Sequence, residues 1–148
     1  MAREVILFCY DGSDEAKRSM ESAADLLATR DAVVVDVGSF LTGAESVAAL
    51  SPDVEVPSLE KLNRASALER AEEGAVYARR FGFDTQAREA LADPAWQGIL
   101  ELADDVDASV IVVGSRGFNG VKELIEHSMS RALAAHASRP LLVIPPAR

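Results

Sequence analysis

Five short apolar runs punctuate the chain, and longer stretches with helical spacing separate them. Val5-Ile6-Leu7-Phe8-Cys9-Tyr10 is continuous and too short for a helix, so it predicts a strand buried on both faces. Asp11-Gly12-Ser13 breaks it. Ser13 is placed to cap a helix, with Asp14 and Glu15 in the first turn and Ala16, Met20, Ala23, Ala24 and Leu27 on one stripe. The helical pattern stops by Asp31, and Ala32–Gly38 predicts a second buried strand. Residues 40–57 carry no period and are punctuated by Gly43, Pro52 and Pro57, which predicts a long loop with one helical turn near Glu45–Leu50.

The pattern then resumes. Leu59–Arg80 predicts a long helix with Leu68, Ala71, Ala75 and Ala78 on its inner face, closed by Gly82. Thr85–Leu91 alternates, as a half-exposed edge strand does. Asp93-Pro94 reads as an N-cap followed by proline at the first helical position, opening a helix that buries Trp96, Ile99, Leu100 and Ala103. Ser109–Val113 is the fourth strand. A last helix starts at Ser128, with Met129, Ala132, Leu133 and His136 on one face, and Leu141–Ile144 is the fifth strand.

Buried Val/Ile runs alternating with amphipathic helices predict one α/β domain over residues 1–148: a five-stranded parallel sheet with helices on both faces. Sheets of this kind bind ligands beyond the carboxyl ends of strands, where the strand order reverses. In the order 3-2-1-4-5 that point lies between strands one and four, so Asp11 and Gly114 would share a crevice.

Composition narrows the function classes. The net charge is −9 and no Lys/Arg cluster stands out, so nucleic acid is not an expected partner. No apolar stretch approaches the roughly 18–20 residues of a membrane span, and a signal peptide is not expected at Met1-Ala2-Arg3-Glu4. The single Cys9 excludes an internal disulfide and fits a reducing, cytoplasmic compartment. No activated nucleophile beside a base and no P-loop Lys-[Ser/Thr] stands out, so an enzyme is not expected beyond slow ATP hydrolysis.

The candidate chemistry lies after strand four. Val110–Val113 end at Gly114, and Gly114, Gly117 and Gly120 follow closely before the helix start at Ser128. A strand, a glycine-rich loop and a helix N-terminus together can hold an anion: backbone N–H groups approach a phosphate, and the helix adds unpaired donors and its positive dipole end. The same glycines would serve a plain turn, and Ser128 would serve as an ordinary N-cap.

Three blocks, Val5–Ser13, Asp107–Gly117 and Arg139–Ile144, together resemble the universal stress protein family, and the similarity covers nearly the whole chain outside residues 40–60. The resemblance implies the Rossmann-like order 3-2-1-4-5. It also implies an ATP or related adenine-nucleotide site, with Mg²⁺ as an accompanying ion. Asp11 would contact the adenosine, Tyr10 and Val37 would wall the base, and Val113, Gly114 and Gly117 would lead the phosphate loop, with Ser128 and the backbone of Met129 beyond it. A homodimer through Leu141–Ile144 is implied as well, alongside an unidentified protein partner. ATP-holding members carry Gly-x2-Gly-x9-Gly-[Ser/Thr]. Gly114, Gly117 and Ser128 match, whereas His127 stands in place of the third glycine. A side chain there cannot adopt φ > 0 freely, so His127 is expected to weaken binding. The departure leaves open a second reading, a dimeric interaction or signalling module of the same family that holds no nucleotide.

Overall fold

Strand β1 (Ile6–Tyr10) is buried along its whole length and lies at the centre of the sheet. A computed structural model describes residues 3–36, 56–90, 92, 94–115 and 129–147, with side chains from Arg64 onward in the helix that starts at Val56. The elements that follow β1 are α1 (Asp14–Leu26), β2 (Asp31–Asp36), α2 (Val56–Arg79), β3 (Asp84–Arg88), α3 (Ala95–Asp105), β4 (Val110–Gly114), α4 (Met129–His136) and β5 (Leu141–Ile144). The sheet order is β3-β2-β1-β4-β5, and every pairing is parallel.

Side chains of β1 alternate between two cores. Ile6, Phe8 and Tyr10 meet α1 and α2, whereas Leu7 and Cys9 meet α3 and Leu133 of α4. Such two-sided burial is why the run carries no polar position. Helix α1 forms as its sequence dictates. Ser13 accepts from the Ala16 N–H at 3.1 Å, and Ala16, Ser19, Met20 and Ala23 make its buried stripe. Strand β3 has Thr85 inward and Asp84, Gln86 and Arg88 outward, the alternation of a half-exposed edge.

Several details differ from the sequence reading. Asp31 begins β2, because α1 stops at Leu26. Pro57 lies inside the first turn of α2, where its missing N–H has no intrahelical acceptor to lose. The buried stripe of α2 runs through Ala67, Ala71, Ala75 and Ala78, and Leu68 is exposed. The i, i+4, i+8, i+11 spacing selects alanine 67, and the small side chains let the helix lie close on the sheet. Pro94 is itself the cap residue of α3, with φ −75° and ψ 153° and no side-chain hydrogen bond, so the helix begins at Ala95. Strand β3 ends at Arg88, short of Leu91. The expected helical turn at Glu45–Leu50 and the helix start at Ser128 lie outside the described residues.

Candidate functional site

The reversal of strand order falls between β1 and β4, whose parallel register pairs Phe8 with Val112. Two residues further on, Tyr10 stands level with Gly114, and Asp11 lies just beyond. Asp11 opens the turn into α1: its Oδ1 accepts from the Ser13 N–H at 2.9 Å. Gly12 between them has φ +81°, a conformation glycine adopts without strain. The carboxyl edge of β1 is therefore held by a short turn with its own hydrogen bonds.

Gly114 closes β4 against the first turn of α1. A methyl group built there would lie 3.4 Å from the Glu15 carbonyl oxygen and 3.6 Å from its Cβ, ordinary contact distances, so the end of β4 packs against the helix without requiring a glycine. Glu15 also carries a buried oxygen, Oε2, with no hydrogen-bond partner among the described residues. With Asp14 and Glu15 in its first turn, the dipole of α1 is compensated by its own carboxylates. An added anion would be better served on the β4–α4 side.

The predicted residues are brought together only in part. The Tyr10 ring is fully buried beneath α2, and its hydroxyl donates to Glu73 Oε1 at 2.6 Å, so the ring is not a free wall for a base and the strand end presents its backbone. Burial, with the Glu73 contact second, raises the Tyr10 hydroxyl well above the usual phenol range. Val113 points into the core shared with α3 and α4, so it too offers backbone alone. The Ser115 N–H, next in line, donates to the Ile144 carbonyl at 2.9 Å and ties the start of the loop to β5. Met129 begins α4 and packs, half-buried, on the same core. Val37, Gly117, His127 and Ser128 lie outside the described residues.

Sequence reasoning missed a polar pair of rungs beneath this edge. Asp36 ends β2 as the register partner of Tyr10, and its Oδ2 accepts from Arg70 Nη2 at 2.9 Å. Arg70 and Glu73 are three residues apart on one face of α2, so Asp36–Arg70 and Tyr10–Glu73 tie the helix to two adjacent strand ends. The Asp36 hydrogen bond raises the Arg70 guanidinium above its already high ordinary value. The signal was present: a lone carboxylate closes the otherwise apolar run Val33-Val34-Val35-Asp36.

The opposite edge of the sheet carries a depression of about 180 Å³ near Val5, Val106 and Gln86, bordered by Arg3, Asp31 and Asp84. There Arg3 Nε donates to Asp31 Oδ2 at 2.6 Å, and this pairing holds the Asp31 carboxyl below its ordinary range. Charges already matched to one another recommend it less as a ligand site than the β1/β4 edge. Among the described residues, no group of three or more His, Cys, Asp or Glu side chains is arranged to hold a metal ion.

The sequence profile of the universal stress protein family matches residues 2–145. The chain belongs to the universal stress protein family. Universal stress protein YxiE of Bacillus subtilis (strain 168) is 30% identical over 148 residues, covering 94% of this chain and 97% of its own. Stress response protein NhaX of the same organism is 28% identical over 160 residues, covering 94% and 96%. Among solved structures, a universal stress protein in complex with cAMP superposes with a TM-score of 0.66 at 19% identity, covering 97% of this chain and 98% of that one. The Archaeoglobus fulgidus universal stress protein in complex with dAMP gives 0.60 at 21% identity, covering 97% and 98%. These two likenesses speak to the fold, and the strand order agrees with them. Among the described residues, no helix is long and apolar enough to cross a membrane.

Proposed function

We propose that this universal stress protein is a cytoplasmic stress-response module that binds ATP or a related adenine nucleotide at the β1/β4 edge. The observation that carries the reading is the strand order, which reverses between β1 and β4 and sets Asp11 and Gly114 at the carboxyl ends of those two adjacent strands. The nucleoside would lie toward Asp11 and Val37, and the phosphates toward Gly114, Gly117, Ser128 and the N–H of Met129. The match to two nucleotide complexes of the same fold supports the ligand class. Mg²⁺ would arrive with the phosphates, since the described residues offer it no cluster of ligands of their own. Its contribution is to neutralise phosphate charge beside Glu15. Binding would bias a homodimer, joined through Leu141–Ile144, toward an unidentified protein partner, which requires different nucleotide affinities in two states.

The substitution of His127 for the third motif glycine favours the second reading, a dimeric interaction module without nucleotide. One experiment separates the two. The melting midpoint is recorded with and without ATP–Mg²⁺, ADP, AMP and cAMP, for the wild type and His127→Gly. A ligand at about 100 times its Kd stabilises the native state by roughly 2.7 kcal/mol. A shift in the wild type supports the nucleotide module. A shift confined to His127→Gly shows that the histidine closes the site, and none in either protein leaves the interaction module.

A further inference from the structure

Helix α2 is held to the sheet in two different ways, and Gly74 divides them. After Gly74 the attachment is apolar. Ala75 and Ala78 belong to the core shared with α1, and Tyr77 and Phe81 pack against it. The Thr85 hydroxyl donates to the Ala75 carbonyl at 2.9 Å and Arg79 Nη2 donates to the Thr85 carbonyl at 3.1 Å, so β3 grips this end as well. Before Gly74 the attachment is polar. Ala67 and Ala71 are buried, yet among the described residues they join neither apolar core. The side-chain links there are Arg64–Glu89 at 3.8 Å, Arg70–Asp36 at 2.9 Å and Glu73–Tyr10 at 2.6 Å.

These links also show how far the helix reaches. Tyr10 and Asp36 end β1 and β2, and Glu89 follows the last residue of β3. The segment from Val56 to Arg70 therefore runs past the carboxyl edge of the sheet, by up to roughly 20 Å at about 1.5 Å per residue. With no footing in an apolar core, little beyond the polar links opposes its separation from the strands. Arg64–Glu89 is an exposed pair and adds little. Arg70–Asp36 is stronger, but it keeps Asp36 Oδ1 buried without a hydrogen-bond partner among the described residues. Separation would give that oxygen to water, which offsets part of the loss of the pair. Gly74 stands at the boundary, and glycine bends a helix backbone at the least steric cost.

We infer that Val56–Glu73 is a hinged arm of α2, pivoting at Gly74, whose opening uncovers the carboxyl ends of β1 and β2. The part of the helix after Gly74 stays on the sheet. The arm thereby governs access to Asp36 and Tyr10, which are dry while it is closed.

Hydrogen exchange of the α2 amides is measured residue by residue by NMR on the full chain, for the wild type, Tyr10→Phe and Arg70→Gln. No ligand is added, so the outcome is independent of the nucleotide reading. In the wild type the amides of Arg64–Glu73 are expected to share one level of protection, at least about tenfold below that of Ala78 and Arg79. Tyr10→Phe keeps the ring and removes one link, and Arg70→Gln removes another. Each should speed exchange in the arm by about tenfold or more, and exchange at Ala78 and Arg79 by far less. Protection that rises smoothly along the helix with no step at Gly74 is the fraying of an ordinary helix end and overturns the inference. A loss of protection spread equally over both parts in the variants overturns it as well. Should a variant fail to fold, the wild-type profile decides alone, by the presence or absence of the step.

Discussion

The ring of Tyr10 lies directly on the backbone of Gly74. A Cβ built at position 74 would sit 2.8 Å from Tyr10 Cγ and 2.9 Å from Val34 Cγ1, closer than packed carbon atoms approach. Glycine in mid-helix normally costs about 1 kcal/mol relative to alanine, so an exposed Gly→Ala change would stabilise. Here the sign reverses. Gly74→Ala must push α2 off the sheet or move a ring that is fully buried. A net loss of about 1–2 kcal/mol is expected, read as a lower urea midpoint with an unchanged slope. A more stable Gly74→Ala variant would show that the helix does not lie this close.

That contact shows what could be read from the chain and what could not. The five strands and the helix stripes follow from the spacing of apolar residues, and this is why the order of elements was legible. The small residues of α2 looked like helix formers. Nothing in their spacing said that Gly74 faces Tyr10, because the partner of a helix residue across a layer is set by the three-dimensional packing. The direction of the Tyr10 ring was hidden for the same reason. Its place at the strand end suggested an open wall, whereas the pleat turns the ring under α2. Asp36 escaped notice because a carboxylate after an apolar run usually marks a strand reaching water. In this fold it stays dry and meets Arg70 from a helix 34 positions later.

Cys9 should make the fold alkali-sensitive. Burial, with a smaller contribution from the Asp11 charge, pushes its thiol from an ordinary 9.0 up to about 12. The folded value is raised, so the contribution of this group is fully present below about pH 9 and is lost as pH rises toward and through about 12. Buried Tyr10 is shifted in the same direction and adds to the effect. Urea midpoints measured from pH 8 to 11 should fall, and Cys9→Ala should flatten part of that slope. At pH 8 the native protein should react with a thiol reagent only as fast as it opens. Immediate stoichiometric labelling in the absence of denaturant would contradict this.

Trp96 and His136 stack with ring centroids 4.2 Å apart and planes within 7° of parallel. Trp96 sits in the first turn of α3 and His136 is the last residue of α4, so the stack joins the two helices on one face of the sheet. Aromatic pairs of this kind are worth about 0.5–1.5 kcal/mol beyond their buried area. His136→Ala should lower stability by that order. Trp96 is the sole tryptophan, so its emission should also shift to the red and become more open to quenching by iodide. Identical emission and quenching in the variant would mean that the rings do not hold each other in solution.

Strand β5 pairs with β4 on one side, and among the described residues no strand pairs with its other edge. Leu141 and Leu142 are half-buried, Val143 is 38% exposed and Ile144 is buried, so the strand is apolar throughout. An edge of this kind carries a row of unpaired backbone groups that is well suited to a second copy, each β5 lying against the other about a twofold axis. Val143 would then become partly covered, and an aspartate in its place would bring two like charges together in the interface. Light scattering behind a sizing column should give a dimer for the wild type and a monomer for Val143→Asp. Circular dichroism should be unchanged, since an exposed position tolerates the charge within a single subunit. A dimer that survives the substitution would place the interface on another surface, and a monomeric wild type would remove the proposed assembly altogether.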